Sequence, residues 1–304
     1  LLLHKLIPNS GWLLVHIVTL GLITNSILIW SQHFTEALMK IKIPDEARGT
    51  QVRRIFILNA GILVLMVGMI GQLSVPGLYA ATVVGALIVG SMVTWHALYL
   101  LKQMRQALPS RFGVTIRFYI TAALMLPLGA AFGAMIAYPN LKGTLHAQFL
   151  LAHEVVNVLG FVGITVVGTL VTFWPTMLRT KMVDKALTHS LRALYLMCGG
   201  LALTLAGSMF GMRPLAAAGL VVYLIALLIV AWVMVRTQRP TEYPPMSVGM
   251  GFLWLIIGVA ATAYMVATTP FAVMDIRAVT PIFVVGFLLQ VLLGAMSYLL
   301  PQLM

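Results

Sequence analysis

The chain is poor in charge. Of its 304 residues only 9% are Asp, Glu, Lys or Arg, and just 7 are acidic. A soluble domain carries about 25% charged residues, so a water-facing surface cannot be built from this composition. Polar interruptions are scarce as well. Apolar runs continue for roughly the 20 residues that a helix needs to cross the hydrocarbon core of a bilayer. The same runs exclude a barrel, whose strands alternate polar and apolar residues over about ten positions. The single cysteine, Cys198, excludes an internal disulfide and carries no information on redox compartment. There is no Gly-rich phosphate loop, no cysteine pair and no nucleophile–base arrangement. The stretch from Leu1 to Ser10 contains His4 and Lys5 and lacks the cleavage pattern of a signal peptide.

What is present is apolar: 61% of residues are hydrophobic, and the mean hydropathy is +1.02. In lipid every backbone N–H and C=O must be satisfied within the spanning segment, which selects helices. The expected fold is therefore an all-α polytopic membrane protein of about nine transmembrane helices. Spans are expected at 11–33, 54–74, 77–101, 115–137, 147–174, 190–211, 214–235, 248–269 and 279–303. Breakers separate them: Pro44-Asp45, Pro76-Gly77, Pro109-Ser110, Pro139-Asn140, Pro214, Pro240, Pro244-Pro245 and Pro270. Residues 1–304 read as one transmembrane domain. A start at Leu1 and an end at Met304 inside an apolar run suggest part of a longer polypeptide.

The net charge of +12 is unevenly placed. The first, third, fifth and seventh connections hold 15 basic residues, among them Lys40, Lys42, Arg48, Arg54, Arg105, Arg117, Arg179, Arg192 and Arg236. The other side holds only Lys5, Lys142, Arg213 and Arg277. Positive short loops stay in the cytoplasm, which puts Leu1 outside and Met304 inside. The basic side can meet anionic lipid headgroups, and no nucleic-acid partner is needed to explain the charge.

Three spans share a pattern. Span five reads Gly160-Phe161, Gly168, Pro175, and span nine reads Gly286-Phe287, Gly294, Pro301. Span one carries a weaker copy at Leu20-Gly21, with Ile29 and Glu36 at the later positions. The marker glycines lie 139 and 126 residues apart, with four helices in each interval. This suggests a pseudo-threefold array of four-helix units, approximately 11–137, 147–269 and an incomplete 279–304. The alternative is chance, because glycine is common where membrane helices approach closely.

Ionisable groups within membrane spans face the bundle interior and usually serve a purpose. His16 and His153 lie in the outer halves of spans one and five. One neutral imidazole on each of two helices is the minimal geometry for a haem or copper site. Asn157, one turn after His153, is placed to orient that ring or to bond across helices. Glu154 is the one acidic residue expected within a span, where a carboxylate is protonated, paired or part of a proton path. His96, near the inner end of span three, is a further candidate metal ligand or an interfacial residue. His33 and His189 lie at span ends where solvation suffices; His146, seven positions before His153, shares a face with it if span five begins early and is otherwise a solvated loop residue. For each of these groups a hydrogen-bonded interior side chain is the plainer alternative. The 19 methionines, including Met66 and Met69 at helical spacing, read as packing more readily than as a thioether copper path.

The stretches Trp12–Phe34 (WLLVHIVTLGLITNSILIWSQHF), Ala152–Met182 (AHEVVNVLGFVGITVVGTLVTFWPTMLRTKM) and Val284–Leu300 (VVGFLLQVLLGAMSYLL) carry a resemblance. They resemble the membrane region of actinobacterial multicopper oxidase or copper nitrite reductase-like proteins. More distantly, the layout looks like NnrS and the catalytic subunit of haem–copper oxidases. The resemblance implies a cupredoxin-type copper domain as partner, fused or separate, and haem b or copper as cofactor. It also implies a place within an oxidoreductase. Three arcs of four helices would put one further helix before Leu1 and two after Met304. His16 would match a haem-ligand position and His153 the neighbourhood of a copper ligand. The chain departs from the pattern in having no second His at Val155, none at Val279 or Pro281 before Gly286, and only His189 at the mouth of span six. A complete haem–copper reaction centre is not expected. The expectation is a redox membrane domain in nitrite, nitric oxide or copper metabolism. A non-redox transporter, or a degenerate scaffold anchoring a partner domain, is the alternative.

Overall fold

The structure is a computed structural model that describes residues 8–41 and 45–302, with the side chains of 45–47 left aside. His4, Lys5, Lys42, Pro44 and the two chain ends fall outside the described residues. Among those described there is no strand, and nine helices are long and apolar enough to cross a membrane. They are α1 (Ser10–Met39), α2 (Arg48–Gly71), α3 (Pro76–Gln106), α4 (Gly113–Ile136), α5 (Gly143–Met177), α6 (Ala186–Met209), α7 (Arg213–Val235), α8 (Tyr243–Thr268) and α9 (Ile276–Gln302). The chain is an all-α polytopic membrane protein.

The helix starts follow local chemistry. Pro214 and Pro244 sit in the first turn of α7 and α8, where a missing N–H costs nothing. Gly143 at the start of α5 and Gly211 just past the end of α6 adopt φ of 65° and 69°, a left-handed backbone that glycine accepts without strain. Several helices run further than hydropathy alone implies, α1 and α5 among them. α1 continues to Met39 because its polar residues find partners inside the bundle: Gln32 Nε2 donates to Glu36 Oε1 (2.8 Å) and Thr35 Oγ1 to the Ser31 carbonyl (2.7 Å). Glu36, expected in a loop, is thus a second acid within a spanning helix beside Glu154. α5 begins at Gly143, four residues before the expected start, and takes His146 into the helix.

The helices are not equally enclosed. In its most apolar stretch α5 is 72% buried, against 17% for α1 and 28% for α9. α5 is therefore the central post. None of Ser10–His16 at the N-terminal end of α1 is buried, whereas Leu28, Ser31, Gln32 and Thr35 further along it are. α1 packs tightly at the end bearing the basic loops and loosely at the other.

Three helices, α1, α5 and α9, each contain a π-helical segment: Ile17–Thr24, Val155–Gly163 and Ile282–Leu289. Counted from Gly21, Gly160 and Gly286, these segments span −4 to +3, −5 to +3 and −4 to +3. The wide turns therefore share one register within a residue. A π turn widens the helix by one residue and re-aims the side chains beside it, and such turns concentrate at functional sites.

Candidate functional site

His16 immediately precedes the first π segment and His153 lies two residues before the second. The fold brings them together across 137 positions of sequence: their ring centroids are 6.3 Å apart and the ring planes differ by 23°. Each ring is held at its own Nδ1. His16 Nδ1–H donates to the Trp12 carbonyl (2.9 Å), and the imidazole stacks on the Trp12 indole with centroids 4.0 Å apart. His153 Nδ1–H donates to the Gly129 carbonyl on α4 (2.8 Å). A carbonyl only accepts, so the proton of each neutral ring belongs on Nδ1. In both rings Nε2 keeps its lone pair.

The cradle for His153 comes from glycine. A β-carbon at Gly133 would stand 2.9 Å from His153 Cε1, and one at Gly129 would stand 2.5 Å from Asn157 Cγ. Gly129 and Gly133 lie one turn apart on α4, so the groove between them takes both side chains. The Asn157 amide lies 3.2 Å from His153 Nδ1 and donates to the His153 carbonyl (2.8 Å), which fixes the helix turn that carries the ring. Glu154 points into a different neighbourhood, within electrostatic reach of Asp275 and Arg277 at the start of α9. Those two are exposed and paired (2.8 Å), and the Arg277 guanidinium holds the Asp275 carboxyl below its ordinary range.

The π segment of α5 has a support of its own. Tyr223 on α7 is fully buried, and its hydroxyl donates to the Leu159 carbonyl (2.8 Å). Gly163 leaves the space for that hydroxyl, since a β-carbon there would come within 2.5 Å of it. The wide turn next to His153 is thus clamped from α4 on one side and α7 on the other.

A Gly133→Ala substitution tests the cradle without touching a ligand. Its methyl displaces the imidazole from Gly129, and any group held by His153 should bind roughly ten-fold more weakly, the lower end of what outer-shell partners contribute. The check is haem and metal bound per protein, relative to the parent, at matched thermal stability. Unchanged content would show that the groove does not position the ring.

His96 is not part of this pair. It lies on α3 toward the basic end, is 1% exposed, and its Nε2 pairs with Ser31 Oγ (2.8 Å). Beside it is a group that the sequence did not single out. Arg54, counted there among the loop cations, is 1% exposed; its Nη2 donates to Gln32 Oε1 (2.6 Å) and its guanidinium lies 5.2 Å from the Tyr99 ring centre. Gln32 passes the interaction on to Glu36. His189 packs edge-on against Trp232 at 5.2 Å, His33 is exposed, and Met66 is a buried core residue. Among the described residues no cluster of three or more His, Cys, Asp or Glu could hold a metal ion. The histidine pair is the one meeting of two imidazoles among them.

Of the site residues expected from sequence, the structure joins His16, His153 and Asn157, and leaves His96 and Glu154 in separate surroundings. Gly129 and Gly133 went unnoticed, although small residues four apart in span four were a readable sign of close helix approach. No known family model, no curated protein and no solved structure matches the chain.

Proposed function

We propose that this protein is a membrane redox domain in which His16 and His153 hold a haem iron or a copper ion. One observation carries the reading: both imidazoles are fixed through Nδ1 on backbone carbonyls, with Nε2 left as the open nitrogen on each. That is how metal-binding histidines are oriented by their outer partners. The residues fit such a group. The two ring centroids lie 6.3 Å apart, near enough for one group to be shared by both rings. His16 and His153 would hold the group through nitrogen alone, a donor pair that suits haem iron or copper and falls short of the four ligands of a structural zinc site.

When bound, the group would supply one-electron redox chemistry. The chain's own contribution is to fix both rings and, through the Gly129–Gly133 groove and Asn157, to hold His153 in place. The shared register of the three π segments supports an array of related four-helix units with α1, α5 and α9 as equivalent members. The resemblance to the membrane region of multicopper oxidase and copper nitrite reductase-like proteins supports electron exchange with a cupredoxin-type copper domain. In this reading the domain belongs to the plasma membrane, with the basic loops cytoplasmic and the histidine pair near the outer face. The partner then meets the histidine end, in nitrite, nitric oxide or copper metabolism.

The test is a dithionite-reduced minus oxidised spectrum of purified protein expressed with ample haem and copper, with metal analysis of the same sample. A haem b difference band or stoichiometric copper is expected. A flat spectrum with no bound metal would sink the assignment and leave a transporter or a scaffold for a partner domain. That second reading is favoured by the absence of a third histidine before Gly286.

A further inference from the structure

The three helices that carry the π segments also enclose a long space toward the basic end. It is a partly open cavity of about 100 Å³ between α1, α5 and α9, with Tyr119 of α4 and Val248 of α8 completing its wall. The lining runs from Ile23 to Phe34 on α1, from Val162 to Phe173 on α5 and from Leu288 to Leu299 on α9. Counted from Gly21, Gly160 and Gly286, every one of these stretches spans +2 to +13. The cavity is therefore centred among the three helices in a single register, beginning at the level of the π segments. At 1.5 Å per residue it follows about 16 Å of each helix. That is roughly half of a 30 Å hydrocarbon core, the depth that the acyl chains of one leaflet occupy.

The wall asks only for apolar contact. Five hydroxyl side chains line it, and each already has a hydrogen-bond partner. Ser26 donates to the Leu22 carbonyl (2.8 Å), Thr165 to the Phe161 carbonyl (2.7 Å) and Thr169 to the Thr165 carbonyl (2.9 Å). Tyr119 pairs with Thr169 (3.0 Å) and Ser31 with His96 (2.8 Å). A polar occupant would lose its hydration with no unpaired group waiting to replace it. Past the lining the character changes. Lys40 and Arg179 stand six residues beyond Phe34 and Phe173, at the ends of α1 and α5, and both are exposed.

We propose that this cavity seats one acyl chain of an anionic phospholipid, whose phosphate meets Lys40 and Arg179. The length of the cavity matches one leaflet, its wall matches hydrocarbon, and two cations stand at headgroup level where it ends. A chain lying there packs against α1, the least enclosed of the described spans, and ties it to α5 and α9. The site is separate from the histidine pair and does not rest on the redox reading.

The test uses the full chain, washed of lipid in detergent and titrated with phosphatidylglycerol carrying dibrominated acyl chains. Bromine quenches indole fluorescence on contact, and Trp30 lines the cavity. The Trp30 signal is the difference between the parent and Trp30→Phe. Phosphatidylcholine with the same brominated chains is the headgroup control. Quenching of Trp30 should saturate, and phosphatidylglycerol should bind roughly five- to thirty-fold more tightly, the worth of one or two cations beside an anionic headgroup. Lys40→Gln combined with Arg179→Gln should erase that preference. Ala295→Phe fills the cavity from α9 and Ser26→Phe fills it from α1; each should abolish the saturable signal, and either serves if the other fails to fold. Quenching that only rises in proportion to added lipid, as for a tryptophan facing bulk acyl chains, would overturn the proposal. Equal affinity for the two headgroups, or saturable binding unchanged by cavity filling, would overturn it too. Neither haem nor copper enters the measurement, so a flat redox spectrum would reject the histidine assignment and leave this one standing.

Discussion

On the proposed assignment, replacing either His16 or His153 with alanine should remove the redox group that the pair would hold. Each variant is expected to lose its difference spectrum and its metal, while its helical content and detergent solubility stay near those of the parent. The reasoning is geometric. Only two imidazoles meet at this level, and among the described residues no third His, Cys, Asp or Glu joins them in a metal-holding cluster. Losing one ligand of two leaves a single bond to hold the group. Asn157→Ala should act more mildly, lowering occupancy roughly ten-fold by loosening the turn that carries His153. His96→Ala should leave the spectrum intact, because His96 is hydrogen-bonded to Ser31 at the other end of the bundle. Loss of signal in His96→Ala with retention in His16→Ala would reverse the assignment. Retention in both His16→Ala and His153→Ala would end it.

The largest effect on folding should come from α6 and α7. A β-carbon at Gly200 would lie 2.6 Å from the Gly219 carbonyl oxygen and 2.8 Å from the Tyr223 nitrogen. One at Gly219 would lie 2.5 Å from the Gly200 oxygen and from the Thr204 nitrogen. These are backbone atoms, so no rotamer change relieves the clash. The helices meet here through small residues, with Thr204 Oγ1 bonded to the carbonyls of both Gly200 (2.8 Å) and Ala216 (3.3 Å). Without water between the helices, such packing is a main source of their association. Gly200→Ala should cost about 1–3 kcal/mol, the usual range for overpacking. Gly219→Val should prevent stable folding, since a domain has only about 5–15 kcal/mol to lose. Gly199→Ala is the control: nothing lies within 4 Å of its β-carbon position. Thermal unfolding in detergent reads all three, and a Gly219→Val protein as stable as Gly199→Ala would contradict the close approach. The effect should also reach the histidine site. Tyr223 sits one turn from Gly219 and holds the Leu159 carbonyl in the π segment beside His153.

By itself the sequence determined that this is a helical membrane protein, with nine spans among the described residues, and where most of them begin and end to within a few residues. The physical reason is local. A helix satisfies its backbone within its own residues, so a run of apolar side chains in lipid has one solution, and Pro244 or Gly143 marks its start without reference to anything distant. The wide turns of α1, α5 and α9 could not be read this way, because a π turn replaces an α turn with no change in composition. Only the tertiary structure decided which polar residues meet. In lipid, the face of a helix toward the bundle and the face toward the acyl chains are both apolar, so Arg54 looked like a loop cation until its side chain was seen enclosed by Gln32 and Tyr99. His96 and His153 carried the same signal in sequence, an imidazole in a span. It is the Gly129–Gly133 groove, and an α1 that stands loosely at its N-terminal end, that set His153 beside His16 and left His96 on Ser31.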